Sequence, residues 1–140
     1  GAGARGACDA TSAASLEQHQ MQVRVDGVGL VGFSQGAIRA LDALVSGRWP
    51  GGGIVAFSGR LSSPLPHTPP LTTPVLLIHG SADGVIPQAE SEAAVDKLSA
   101  LGVQVSSQFE PGVGHTISAQ GARRAGEYIA EVLEMGAERV

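Results

Sequence analysis

A chain of 140 residues, 43% of them hydrophobic, has the length of one domain and enough apolar residues for a core. Its formal net charge is −4, with 9 Lys plus Arg and no basic run, which argues against nucleic-acid binding; no apolar stretch nears the roughly 18 residues that span a bilayer, so no integral membrane segment is expected. Cys8 is the single cysteine, which excludes an internal disulfide, suggests no thiolate metal site and fits a reducing, cytoplasmic setting.

Residues 1–14 are rich in Gly and Ala and read as a flexible lead-in, without the basic start and continuous apolar stretch of a signal peptide. The chain opens on Gly1 rather than Met, as a fragment would. Ser15-Leu16-Glu17-Gln18 has the form of a capping box and predicts a short helix to about Val25. Residues 28–33 are apolar and bounded by glycines, the pattern of a strand buried on both faces. Ala37, Ile38, Leu41, Leu44 and Val45 then recur at helical spacing, with Gly47 as the stop.

Residues 53–57 predict a second buried strand. Pro64, Pro66, Pro69, Pro70 and Pro74 make residues 61–74 a loop, and 75–79 predict a third strand. Ala94, Leu98 and Leu101 give a helix face ended by Gly102. Residues 103–109 alternate apolar and polar, as a strand nearer the sheet edge does, and Ala122, Ala125, Ile129, Val132 and Leu133 form the last amphipathic face. Strands alternating with helices predict an α/β fold, a parallel sheet with helices on both faces, as one domain over residues 15–140.

Three segments carry chemistry. Gly32-Phe33-Ser34-Gln35-Gly36 fits G-x-S-x-G at the junction of a predicted strand and a predicted helix. There, glycines permit a sharp turn that lifts a serine over the sheet. The plainer reading of Ser34 is a helix cap. His79-Gly80-Ser81-Ala82-Asp83 follows the third strand, so Asp83 falls on the same edge; its plainer reading is a turn residue before Gly84. Pro111-Gly112-Val113-Gly114-His115 follows the fourth strand and puts His115 on that edge again, where the plainer reading is an exposed loop histidine. His79 reads as structural, at a strand end, and His19 and His67 as surface residues.

Ser, then Asp, then His, each after a strand, is the α/β-hydrolase order, and it differs from the chymotrypsin and subtilisin orders. A serine needs a base to become a nucleophile, and the base needs an acid to hold its tautomer. Gly27-Val28-Gly29-Leu30-Val31-Gly32 also fits G-x-G-x-x-G, but the apolar positions make these glycines part of the strand and no acid lies about 20 residues on, so a dinucleotide site is not expected. No metal-ligand spacing is present in the sequence.

These segments resemble the phospholipase/carboxylesterase family, which includes the acyl-protein thioesterases. Gly32-Phe-Ser-Gln-Gly36 is similar to its GFSQG elbow, with Ala37 where the family often has Gly. Trp49-Pro50 followed by Gly53-Ile-Val-Ala-Phe-Ser-Gly59 resembles its next strand. Pro74-Val-Leu-Leu-Ile-His-Gly80, with Asp83 and Val85-Ile86-Pro87, resembles its acid loop, and Pro111-Gly-Val-Gly-His115-Thr-Ile-Ser118 its histidine loop.

The resemblance covers roughly residues 15–133. It implies an α/β-hydrolase fold with Ser34 as nucleophile, Asp83 as acid, His115 as base and the Gln35 backbone N–H as one oxyanion donor. It further implies a chain corresponding to the C-terminal part of a hydrolase, because family members carry several earlier strands and a loop with a second oxyanion donor.

The expected function is hydrolysis of a small-molecule carboxylic ester, or a thioester, without a cofactor. Peptide hydrolysis by the same residues and a catalytically silent binding module are the alternatives. With its neighbour strand absent, the strand at residues 28–33 is expected at the sheet edge, where it would invite self-association.

Overall fold

The computed structural model describes residues 22–25, 29–49 and 52–139. Among these residues five strands form one sheet in the order of the chain: β1 (Gln22–Val25), β2 (Gly29–Phe33), β3 (Gly53–Phe57), β4 (Val75–Gly80) and β5 (Val105–Glu110). Strands β2 to β5 run parallel, and β1 pairs antiparallel with β2. Among the described residues three helices connect or follow them: α1 (Gln35–Val45), α2 (Gln88–Ala100) and α3 (Ala119–Arg139).

The apolar runs explain the middle of the sheet. All five residues of β3 and all six of β4 are buried, as expected for parallel strands covered on both faces. Alternate residues feed two cores. On one face, Leu30, Ile54, Ala56, Val75 and Leu77 pack with Ala37, Leu41, Leu44 and Val45 of α1 and with Ala94 and Leu98 of α2. On the other, Val55, Phe57, Leu76 and Ile78 pack with Ala125 and Tyr128 of α3. The helices therefore cover both faces, as predicted. β5 is an edge strand with mostly half-buried residues, which matches its alternating sequence.

Register aligns the carboxyl ends. Phe33 pairs with Phe57, Phe57 with Ile78 and Ile78 with Gln108, in one row across the sheet. Parallel strands in register must release their next residues at the same edge, which gathers residues 34, 58, 81 and 111 there.

Two expectations are corrected. The helix predicted to run to about Val25 is instead a strand over its last four residues, Gln22–Val25. Gln-Val-Arg-Val alternates polar with β-branched residues, which favours a strand; the Ser15–Gln18 capping box behind the helix reading lies outside the described residues, as do the lead-in 1–14 and Cys8. The second correction follows from the first. β2 is no edge strand, because β1 pairs along it from Gln22↔Gly32 to Val25↔Gly29.

Candidate active site

Ser34 sits between the last residue of β2 and the first of α1. Its N–H donates to the Phe57 carbonyl at 2.9 Å, extending the sheet, and its carbonyl accepts from Ile38 N–H at 3.0 Å, beginning the helix. Serving both elements within one residue forces φ to 57° and ψ to −117°. Such a backbone in a non-glycine residue costs about 1–3 kcal/mol. The turn is tight enough that a Cβ on Gly32 would lie 2.5 Å from the Gly36 carbonyl oxygen and 2.7 Å from Ala37 N. The Ser34 hydroxyl makes no cap bond to α1, which removes the plain helix-cap reading. Gln35 is the first residue of α1, so its N–H has no carbonyl four residues back in that helix.

The hydroxyl instead lies 3.0 Å from His115 Nε2, and His115 Nδ1 lies 2.8 Å from Asp83 Oδ2. A carboxylate only accepts, so Nδ1 carries the hydrogen and, in the neutral ring, the Nε2 lone pair faces Ser34. The Phe33 ring packs on the imidazole, with centroids 4.8 Å apart and planes at 43°. The Asp83 carboxylate is fully buried, whereas the His115 side chain keeps 19% of its surface exposed.

Asp83 is also a turn residue, as its plainer reading has it. Its Oδ1 accepts from Val85 N–H at 2.9 Å and from Ile86 N–H at 2.8 Å. Burial pushes the Asp83 carboxyl up, but the His115 hydrogen bond and the Ile86 and Val85 N–H groups outweigh it, and the group titrates below its ordinary value.

His79, expected to be structural, is buried with both nitrogens engaged. Nδ1 is 2.6 Å from Ser91 Oγ on α2, and Nε2 is 2.6 Å from the Ile86 carbonyl. A carbonyl only accepts, so Nε2 carries a hydrogen, and that nitrogen is also 3.3 Å from Asp83 Oδ2. His79 thus braces the loop that carries Asp83. The acid and histidine loops are joined as well: Ser81 N–H donates to the Glu110 carbonyl, Ala82 N–H to the Val113 carbonyl, and Gly112 N–H to Ser81 Oγ.

A profile of the phospholipase/carboxylesterase family matches residues 10–133. The chain belongs to that family. Among curated relatives, it is 37% identical over 100 residues to an Escherichia coli K12 protein named esterase YpfH, covering 71% of this chain and 43% of that one. It is 31% identical over 112 residues to an Oryza sativa subsp. japonica protein named as a probable carboxylesterase, covering 75% and 47%. Among solved structures, esterase PE8 superposes with a TM-score of 0.65 at 36% identity, over 77% of this chain and 52% of that chain. The fold is accordingly that of an α/β-hydrolase, and the chain spans about half the length of the relatives it matches.

Within this family member, the structure brings Ser34, Asp83 and His115 into one hydrogen-bonded series, sets His79 beside Asp83 and leaves His67 apart. His67 lies in the Pro-rich loop, half-buried, with Nε2 3.0 Å from the Ser63 carbonyl; His19 lies outside the described residues. The G-x-G-x-x-G glycines at 29 and 32 are strand residues of β2, not a loop. Among the described residues no cluster of His, Cys, Asp and Glu could hold a metal ion, and no helix is long and apolar enough to cross a membrane. The residue that went unnoticed is Glu110. It is buried at the end of β5, and nothing in its sequence neighbourhood marks it apart from a charge closing a half-apolar strand.

Proposed function

We propose that this chain carries the catalytic residues of a serine hydrolase acting on a small-molecule carboxylic ester or thioester, with Ser34, His115 and Asp83 as its triad. The observation that carries the reading is the hydrogen-bonded series Ser34–His115–Asp83 at the carboxyl edge of the parallel sheet. Membership of a family whose relatives are named esterases supports the ester bond as the target.

Ser34 Oγ attacks the acyl carbon while His115 Nε2 takes its proton. Asp83, anionic at neutral pH, stabilises the imidazolium that results. The oxyanion receives the Gln35 N–H at the first turn of α1, where backbone donors and the helix dipole favour negative charge. His115 then protonates the departing alcohol or thiol, leaving an acyl group on Ser34. Water enters, gives its proton to His115 and attacks the acyl carbon, and collapse returns the proton to Ser34 and frees the acid. Protons and leaving groups balance without a cofactor.

A fluorophosphonate probe tests this directly. The parent chain is expected to be labelled at Ser34, and Ser34→Ala to abolish labelling. Adduct on another serine, located by peptide mass spectrometry, would overturn the assignment.

A further inference from the structure

The loop that carries His115, residues 111–117, contains Gly112, with φ of +76°, and Gly114. Glycines widen the conformations available to a loop, yet the imidazole must stay within hydrogen-bond reach of two partners on different loops. One side-chain pair joins the two ends of this loop. Glu110, the last residue of β5, has Oε1 2.9 Å from the Ser118 hydroxyl, which donates to it. The same Ser118 Oγ accepts from Gly121 N–H at 2.8 Å, capping α3.

Glu110 is 4% exposed. Among the described residues no Lys, Arg or His stands within ion-pair distance of its carboxylate. Burying a carboxylate without a cation is unfavourable unless other groups compensate. Here Ser118 supports one oxygen, Gln108 Nε2 supports the other at 2.8 Å, and both lie at the positive end of α3. The closeness of that helix end is measurable: a Cβ on Gly121 would stand 3.4 Å from Glu110 Oε2. The backbone of Glu110 acts in the same place, because its carbonyl accepts from Ser81 N–H of the acid loop and from Val113 N–H of the histidine loop.

We propose that Glu110 and Ser118 form a clamp that orders the histidine loop and so acts as a positioning device for His115. Its catalytic consequence rests on the reading of His115 as the base. The buried Glu110 side chain accepts from Ser118 and Gln108 together while facing the first turn of α3. Releasing it frees the glycine-rich loop, and a displacement near 1 Å at a reacting group costs about 100-fold in rate.

The test uses Glu110→Ala, Ser118→Ala, the double variant and Ser118→Thr, with folding monitored by circular dichroism. Glu110→Gln keeps the volume should Glu110→Ala not fold; it retains a carbonyl for Ser118 but sets an NH2 against Gln108, so an intermediate effect is expected. Backbone ¹⁵N order parameters should fall for residues 112–117 in Glu110→Ala and Ser118→Ala and return in Ser118→Thr, while those of α1 stay unchanged. With p-nitrophenyl acetate, kcat should fall about 10- to 100-fold with KM within about twofold, and the double variant should be no slower than the slower single one. Order parameters that do not change in any variant would overturn the clamp. A His115→Ala protein that turns over as the parent does would instead strike the base reading, and the order parameters would still decide the clamp.

Discussion

Replacing Asp83 by Asn changes one atom and reverses a hydrogen-bond direction. Oδ1 of Asp83 accepts from Val85 and Ile86 N–H groups, so the amide must place its oxygen there. Its NH2 then occupies the Oδ2 position, 2.8 Å from His115 Nδ1 and 3.3 Å from His79 Nε2. To accept from that NH2, His115 must shed the hydrogen on Nδ1 and carry it on Nε2. The Nε2 hydrogen then faces Ser34 Oγ across 3.0 Å, and the ring has no lone pair there to take a proton. The opposite amide orientation is worse, since it faces two backbone donors with a third donor.

The equivalent change in a serine-protease triad costs about 10⁴-fold in kcat, or about 5 kcal/mol of transition-state stabilisation. A loss of about 10³- to 10⁴-fold is therefore expected here, with KM little changed because the Asp83 carboxylate is fully buried behind His115. Initial rates with p-nitrophenyl acetate measure it, and the rate of fluorophosphonate labelling of Ser34 gives the same comparison without turnover. Imidazole ¹⁵N shifts of His115 should report the hydrogen moving from Nδ1 to Nε2. An Asp83→Asn protein within about tenfold of the parent, with the parent's tautomer, would refute the reasoning.

Two further outcomes follow from the same geometry. Because the Asp83 carboxyl titrates below its unfolded value of 3.8, its contribution to stability is present above that pH and is lost as pH falls through the folded-state value. The urea-midpoint gap between parent and Asp83→Asn should therefore narrow on acidification below about pH 4, and a gap independent of pH would contradict it. Gly32→Ala puts a Cβ 2.5 Å from the Gly36 carbonyl oxygen, so the elbow must move; a destabilisation of about 1–3 kcal/mol is expected in thermal melts, with slower Ser34 labelling, and an unchanged midpoint and labelling rate would show that the turn has slack.

The buried strands were the most legible part of the sequence. Gly53–Phe57 and the start of Val75–Gly80 stand at the predicted bounds, because strands buried on both faces leave uninterrupted apolar runs. Errors fall where local and tertiary signals compete. The alternating pattern puts Val103 in the last strand, yet its N–H donates to the Leu98 carbonyl and its side chain packs in the first core, so β5 begins at Val105. β1 spans four residues, too few for alternation to outweigh a capping signal upstream. Ser34, Asp83 and His115 were legible because each follows a strand within a patterned segment. The Glu110–Ser118 pair was not, since two side chains meeting eight residues apart across a loop leave no periodic trace.

β3 carries none of the three site side chains, yet it sets the spacing between them. Its last residue, Phe57, gives its carbonyl to Ser34 N–H, and the next residue, Ser58, donates its N–H to the Ile78 carbonyl of β4. Ser58 is buried and holds φ at 52°, a second left-handed non-glycine residue on the same edge as Ser34. The two strained residues are therefore consecutive links across the sheet, from the Ser34 turn to β3 and from β3 to the strand that precedes Asp83. Strain of this kind persists only where surrounding bonds over-determine it, and here those bonds are the sheet's own extension past Phe33, Phe57 and Ile78. The separation of the Ser34 turn from the end of β4 is thus set by strand spacing, and Asp83 follows on the loop that His79 braces. His115 also depends on a loop, and that loop is bonded to the loop of Asp83 on one side and closed by Glu110 and Ser118 at its base. His115 is thus carried by a loop that contains Gly112 and Gly114, whereas Ser34 is tied into the sheet through Phe57.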